Sequence, residues 1–222
     1  MSKHVLACLV LLCPMLWACD PGPQVPARPP VEPGTRAVVL RDGLQLVSHV
    51  TDVVGKLVRT EVHWRGEPIQ SRLRYRGLIT VGGTERGHQF ELDVPQERLE
   101  ALFPLSVGKR AELTGALLLV DQGRRFDARL LVEVAGKEQI MLKSGPHEVF
   151  RVRVSNSYSD ASGTRIVRQQ LYYAPALAMV LKSHVRRGQR ESIWRVLSVE
   201  KPGDSQRTPT PLQKQRSGTV MI

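Results

Sequence analysis

The chain has 222 residues, with 32 Lys and Arg against 21 Asp and Glu, giving a formal net charge of +11. A balance this basic favours anionic partners through steering and counterion release. All three cysteines, Cys8, Cys13 and Cys19, fall in the first nineteen residues, so the rest of the chain can form no disulfide, thiolate metal site or cysteine nucleophile.

Lys3 and His4 precede an apolar run from Val5 to Trp17, and the small residue Ala18 follows. This is the order of a secretory signal peptide over residues 1–18; the run is short for a membrane span, and Pro14 would break a core helix. Leu16, Trp17, Ala18 and Cys19 form "LWAC", which resembles the lipobox of bacterial lipoproteins, with Trp17 bulkier than that pattern usually has. The resemblance implies that the Cys19 sulfur takes a diacylglycerol through a thioether, and that cleavage then makes Cys19 the N-terminus. Palmitate-type chains there would anchor the protein at about 0.8 kcal/mol per buried methylene. Asp20 resembles the residue that keeps lipoproteins of enteric bacteria in the inner membrane, so a periplasm-facing inner-membrane location is favoured over the outer membrane.

Residues 19–34, "CDPGPQVPARPPVEPG", are too rich in proline for helix or sheet and read as an extended tether. Residues 35–200 read as an antiparallel β domain, undivided or built of two similar halves. Residues 201–222 read as a disordered basic tail.

Within 35–200 the dominant period is two. In "RLRYRGLITV" one face receives Leu73, Tyr75, Ile79 and Val81, and the other Arg72, Arg74 and Arg76. The alternation recurs in "HQFELDV", "FDARLLVEV" and "FRVRV", the last placing Arg151 and Arg153 together. Short turns such as "RGEP", "GGTERG", "DQGRR", "SDASGT" and "RRGQRE" separate the strands, which must then run antiparallel. "LTGALLLV" is apolar on both faces, as expected of a central or covered strand. The single predicted helix is "VPQERLEALFPL", with Pro95 suited to a first turn, Glu97 near its positive end, and Pro104 stopping it. The expected fold is mainly β: a long twisted antiparallel sheet or a partly open barrel with one short helix.

Three segments resemble the TapB-like periplasmic proteins of unknown function. These are Phe103 to Leu113, "FPLSVGKRAEL"; Met141 to Val154, "MLKSGPHEVFRVRV"; and Leu171 to Ser183, "LYYAPALAMVLKS". The last departs from the pattern at Ala178, where a glycine is usual. The resemblance implies a β-rich fold behind a lipoprotein signal and lends no activity.

Chemical signatures are sparse. His49, His63, His88, His147 and His184 have no metal-ligand spacing, so neither metal nor cofactor is expected. There is no nucleophile elbow, and "TVGGTERG" lacks the lysine and following helix of a phosphate loop. Arg72, Arg74, Arg76, Arg151 and Arg153 are candidate anion-binding residues, since guanidinium rows hold phosphates or carboxylates. The competing reading makes these rows a solvated outer face, paired across strands with Glu91, Asp93, Asp127 and Glu133. The expected function is a non-catalytic, lipid-anchored envelope protein binding another envelope component, either a protein complex or an amphiphile, without nucleic acid. The alternative is an enzyme acting on a cell-wall or lipid substrate.

Overall fold

Hairpin turns drive the architecture. Asp42-Gly43, Arg65-Gly66 and Arg86-Gly87 each place two successive residues at positive φ, the two-residue turn whose twist matches that of paired strands. The computed structural model of the chain describes residue 26 and residues 28–203. Within them, β1 (Arg36–Arg41), β2 (Leu44–Val54), β3 (Leu57–Trp64), β4 (Glu67–Tyr75), β5 (Ile79–Glu85) and β6 (His88–Asp93) follow one another as a meander. A short helix, α1 (Gln96–Glu100), then leads to β7 (Arg110–Leu119), β8 (Arg124–Leu142), β9 (Gly145–Asp160), β10 (Gly163–Ala174), β11 (Met179–Arg187) and β12 (Arg190–Glu200).

Every neighbouring pair is antiparallel, and β1 pairs with both β2 and β12, so the twelve strands form a closed barrel with no free edge. The mainly β expectation holds, and the closure is complete where a long sheet or a partly open barrel was expected. Register breaks help the sheet turn its corners, among them one between Leu73 and Arg74, one between Val134 and Gly136, and one between Tyr172 and Tyr173.

Because the chain is a plain meander, alternate turns collect at the same end of the barrel. One pole carries the turns at 42–43, 65–66, 86–87, 161–162 and 188–189; the other carries those at 55–56 and 175–178, the helix, and both ends of the domain. Leu99, Leu102 and Leu105, from α1 and the segment after it, are buried against Leu113, Leu130, Val132 and Phe150 and plug this second pole. Val31 adds to the plug, packed with Val50, Val58 and Ala178. The end of the proline-rich segment is therefore packed structure, with Pro29 and Thr35 also buried. Cys19, Asp20, the signal segment and residues 204–222 lie outside the described residues.

The ring is also pinched. β4 and β10 stand six places apart in it, yet the turns that follow them touch: a Cβ on Gly77 would lie 1.8 Å from the carbonyl oxygen of Ala178. Tyr173 and Leu171 accordingly join one apolar cluster, while Tyr172 and Ala174 face another built on Val39, Leu46, Val62, Leu181 and Val196. Ala178 takes a left-handed conformation, φ 45°, without being glycine. The tight geometry of this hairpin is kept, and the need for a missing side chain falls on Gly77 instead.

The outer wall is charged. Arg129 makes a paired contact with Glu112 at 2.7 and 2.8 Å, and Arg110 meets Glu133 at 3.2 Å. An apolar inside and an ionic outside are the reverse of a lipid-facing barrel.

Candidate functional site: an arginine-lined barrel mouth

At the unplugged pole the interior is polar. In β4, Gln70, Arg72 and Arg74 point inward, because they stand opposite Val62, Thr60 and Val58 of β3, whose side chains are buried. Arg72 lies over the Phe90 ring, 5.1 Å from its centroid, and donates to the carboxylate of Glu85 at 2.8 Å. It also donates to the carbonyls of Ser71 and Thr84, each at 3.0 Å. Arg187, from β11 on the opposite wall, approaches the same Glu85 carboxylate at 3.6 Å. Arg41, from β1, donates to Gln70 at 2.9 Å.

Exposure grades toward the mouth, from 11% for the Arg72 side chain through 26% for Glu85 to 59% for Arg187. Burial alone would raise the Glu85 pKa, but Arg72 and Arg187 more than reverse it, and the carboxyl is held below its usual range.

Arg74 is the exception in the group. It donates to the Thr60 hydroxyl at 3.0 Å, and no carboxylate lies within ion-pair distance among the described residues. Burial, with repulsion from Arg72 added, pushes its pKa down to about 10. It is still a cation at neutral pH. Among the described residues, the sealed side-chain polar atoms without a partner are Tyr75 Oη, Arg76 Nε, Arg151 Nε and Asn156 Oδ1. The Arg74 nitrogens are not among them, and the residue is only partly buried. The facing inward position on β5 is Gly83, which puts no side chain over Arg72.

The five candidate arginines are thus split among three places. Arg72 reaches the mouth, and Arg74 lies deeper on the same face of β4, opposite Val58. Arg76 sits at the plugged pole, donating to Glu100 at 2.9 Å and to the Pro26 carbonyl at 2.6 Å, with Lys56 on the same Glu100. Arg151 and Arg153 point outward, toward Glu138 at 3.0 Å and Glu133 at 3.6 Å. Arg153 is exposed beside Glu133, Arg151 is partly buried with its Nε sealed, and the β4 arginines are not on a solvated face. That strand borders the pinch, so both of its faces look onto protein: Tyr75 belongs to one apolar cluster, while Arg74 stands beside Thr60 and Val58.

Sequence reasoning missed Glu85, Arg41, Arg187 and Thr60. Glu85 lay inside what reads as a hairpin turn, Thr60 is a cross-strand neighbour on β3, and Arg41 and Arg187 arrive only when the barrel closes. A second concavity, of about 730 Å³, lies outside the barrel and includes Leu131, Arg153, Gln170, His184 and Ile193; its charged groups are largely paired with one another. Among the described residues no group of His, Asp or Glu is placed to hold a metal ion.

No protein-family model matches the chain, and no curated protein matches its sequence. Solved structures do resemble it. The hypothetical lipoprotein YmcC from Escherichia coli superposes with a TM-score of 0.52 at 9% identity, over 75% of this chain and 85% of that one. A protein from Bacteroides fragilis described as exported and of YmcC-like fold scores 0.43 at 12% identity, over 78% and 99% of the two chains. A protein from Parabacteroides distasonis described as a lipoprotein scores 0.45 at 11% identity, over 79% and 100%. At these identities the likeness is one of architecture: the barrel is similar in fold to that of the lipoprotein YmcC.

Proposed function

We propose that the protein is a lipid-anchored, non-catalytic component of the bacterial envelope whose barrel presents its open mouth to another envelope component, a protein complex or an amphiphile. The observation that carries this reading is the polarity of the barrel. The segment leading back to Cys19 leaves from the plugged pole, where the Pro26 carbonyl accepts from Arg76 and Val31 fills the end of the core. Acyl chains on Cys19 would hold that pole toward the bilayer and leave the arginine-lined mouth facing the periplasm. The lipobox "LWAC", the likeness of fold to the lipoprotein YmcC, and the segments resembling TapB-like proteins all support an envelope setting. Asp20 favours the inner membrane.

Two experiments test this. Cys19→Ala should abolish fatty-acid labelling; undiminished labelling would remove the anchor from the proposal. Photo-crosslinkers at Trp64 and Ile166, exposed at the mouth, should capture an envelope partner in living cells, while ones at Val54 and Met141 near the plugged pole should not. Capture confined to Val54 and Met141 would overturn the orientation.

A further inference from the structure

Four arginines point into this half of the barrel: Arg41, Arg72 and Arg187 gather at the mouth about Gln70 and Glu85, and Arg74 lies below Arg72, nearer the plugged pole. Three of the four are engaged: Arg72 by Glu85 and two carbonyls, Arg41 by Gln70, Arg187 by Glu85. Arg74 has only the Thr60 hydroxyl, although a guanidinium carries five N–H donors. Burying a cation beside another cation without a counter-charge is costly, and an apolar side chain of similar length would avoid that cost. Arg74 is nevertheless only partly buried, so part of its surface is open to a small group.

We infer that Arg74 is the base of an oxyanion-binding site inside the mouth, with Arg72 as its second donor, taking a terminal phosphate or carboxylate of the envelope component that the barrel binds. The chemistry shared by both sources is a compact group of anionic oxygens able to accept paired N–H bonds from a planar guanidinium. With Arg72 beside Arg74 and no carboxylate within ion-pair distance of Arg74 among the described residues, the site favours the more highly charged phosphate. The inference deepens the reading of the mouth as a binding surface and rests on it for the source of the ligand.

The test uses the full-length acylated protein in non-ionic detergent, titrated with inorganic phosphate or with acetate at ionic strength matched by chloride. Phosphate should raise the unfolding temperature in proportion to the logarithm of its concentration above the dissociation constant. Arg74→Gln should weaken that binding about tenfold or more, as expected for loss of a charge-assisted hydrogen bond. Without phosphate the variant should be at least as stable as the parent, because it removes an unpaired buried charge. Arg153→Gln, on the outer wall, should change neither. An equal response to acetate would name a carboxylate as an acceptable source. In case Arg74→Gln fails to fold, the guanidinium NMR signals of the unaltered protein provide a second reading, since that of Arg74 should move with phosphate. No stabilisation by either anion beyond chloride, an undiminished shift in Arg74→Gln, or an unmoved Arg74 signal would each overturn the site. A protein that binds phosphate at Arg74 yet captures no partner at Trp64 or Ile166 would keep this site and lose the wider function; the reverse result would do the opposite.

Discussion

Tyr173 of β10 donates its hydroxyl proton to the backbone carbonyl of Arg76, 97 residues away in sequence, at 2.6 Å. The bond crosses the barrel between strands on opposite sides of the ring and ties the two turns that form the pinch. Burial pushes the Tyr173 pKa upward, so the phenol remains a donor well above neutral pH. Tyr173→Phe would leave the Arg76 carbonyl buried without this donor, at a cost of about 1–3 kcal/mol. Equilibrium unfolding in urea measures it, with an unchanged slope expected because the surface exposed on unfolding is nearly the same. A loss within error of zero would show that the pinch does not depend on this bond.

The other half of the same contact is steric. Gly77 has φ 73°, and a Cβ there would sit 1.8 Å from the Ala178 carbonyl oxygen, with the Ala178 carbonyl carbon at 2.5 Å. Backbone atoms cannot swing aside as a flexible side chain can, so Gly77→Ala should force the two turns apart. The expected loss is about 3 kcal/mol, combining left-handed strain with overpacking. Gly43→Ala shares the positive φ but meets nothing within 4 Å, and should cost only about 1 kcal/mol. Comparing the two variants by thermal unfolding separates collision from strain; equal losses would mean that the contact with Ala178 carries no weight.

The strands were legible from period two and the turn signals, because a half-buried strand cannot hide its alternation. The helix was legible from Pro95, Leu99 and Leu102, although regular α geometry ends at Glu100. Closure was not, since no local pattern states that Val39 will stand between Leu46 and Val196. The inward turn of Arg72 and Arg74 was hidden for a related reason: an alternating strand shows which residues share a face, and only the pinch decides that both faces of β4 look onto protein. The neutralising partner of Arg72 was equally out of reach. Glu85 is near in sequence, but the approach of Arg187 to it depends on the opposite wall.

On the outer wall, His49 and His63 meet edge to face with ring centroids 5.0 Å apart. Burial lowers the His49 pKa, repulsion from His63 and Arg36 lowers it further, and Glu61 offsets part of this. The unfolded chain therefore binds a proton at His49 more readily than the folded one does. Stability is complete above the ordinary histidine value of 6.5, falls as pH drops below it, and levels off beneath the folded pKa. His49→Gln should flatten this part of the pH–stability curve, and an NMR titration should find the His49 midpoint below 6.5. A midpoint at or above that value would remove the effect.

Glu85 titrates with the opposite sign and bears on binding as well as stability. Its folded pKa is depressed below 4.5 by Arg72 and Arg187, against the opposing effect of burial. Its contribution is present above that ordinary value and lost as pH falls through the lower folded one. Glu85→Gln should remove this acid-side dependence and lower stability at neutral pH, because Arg72 and Arg187 lose their shared counter-charge. The same substitution frees Arg72, the second donor beside Arg74, from its carboxylate. Phosphate affinity at Arg74 should then rise even as the apoprotein becomes less stable, a divergence that general damage to the fold would not produce. Denaturant unfolding at pH 7 and at acid pH, with and without phosphate, reads both effects on one sample. Parallel losses of stability and phosphate affinity would show that Glu85 organises the site rather than competing for its arginines.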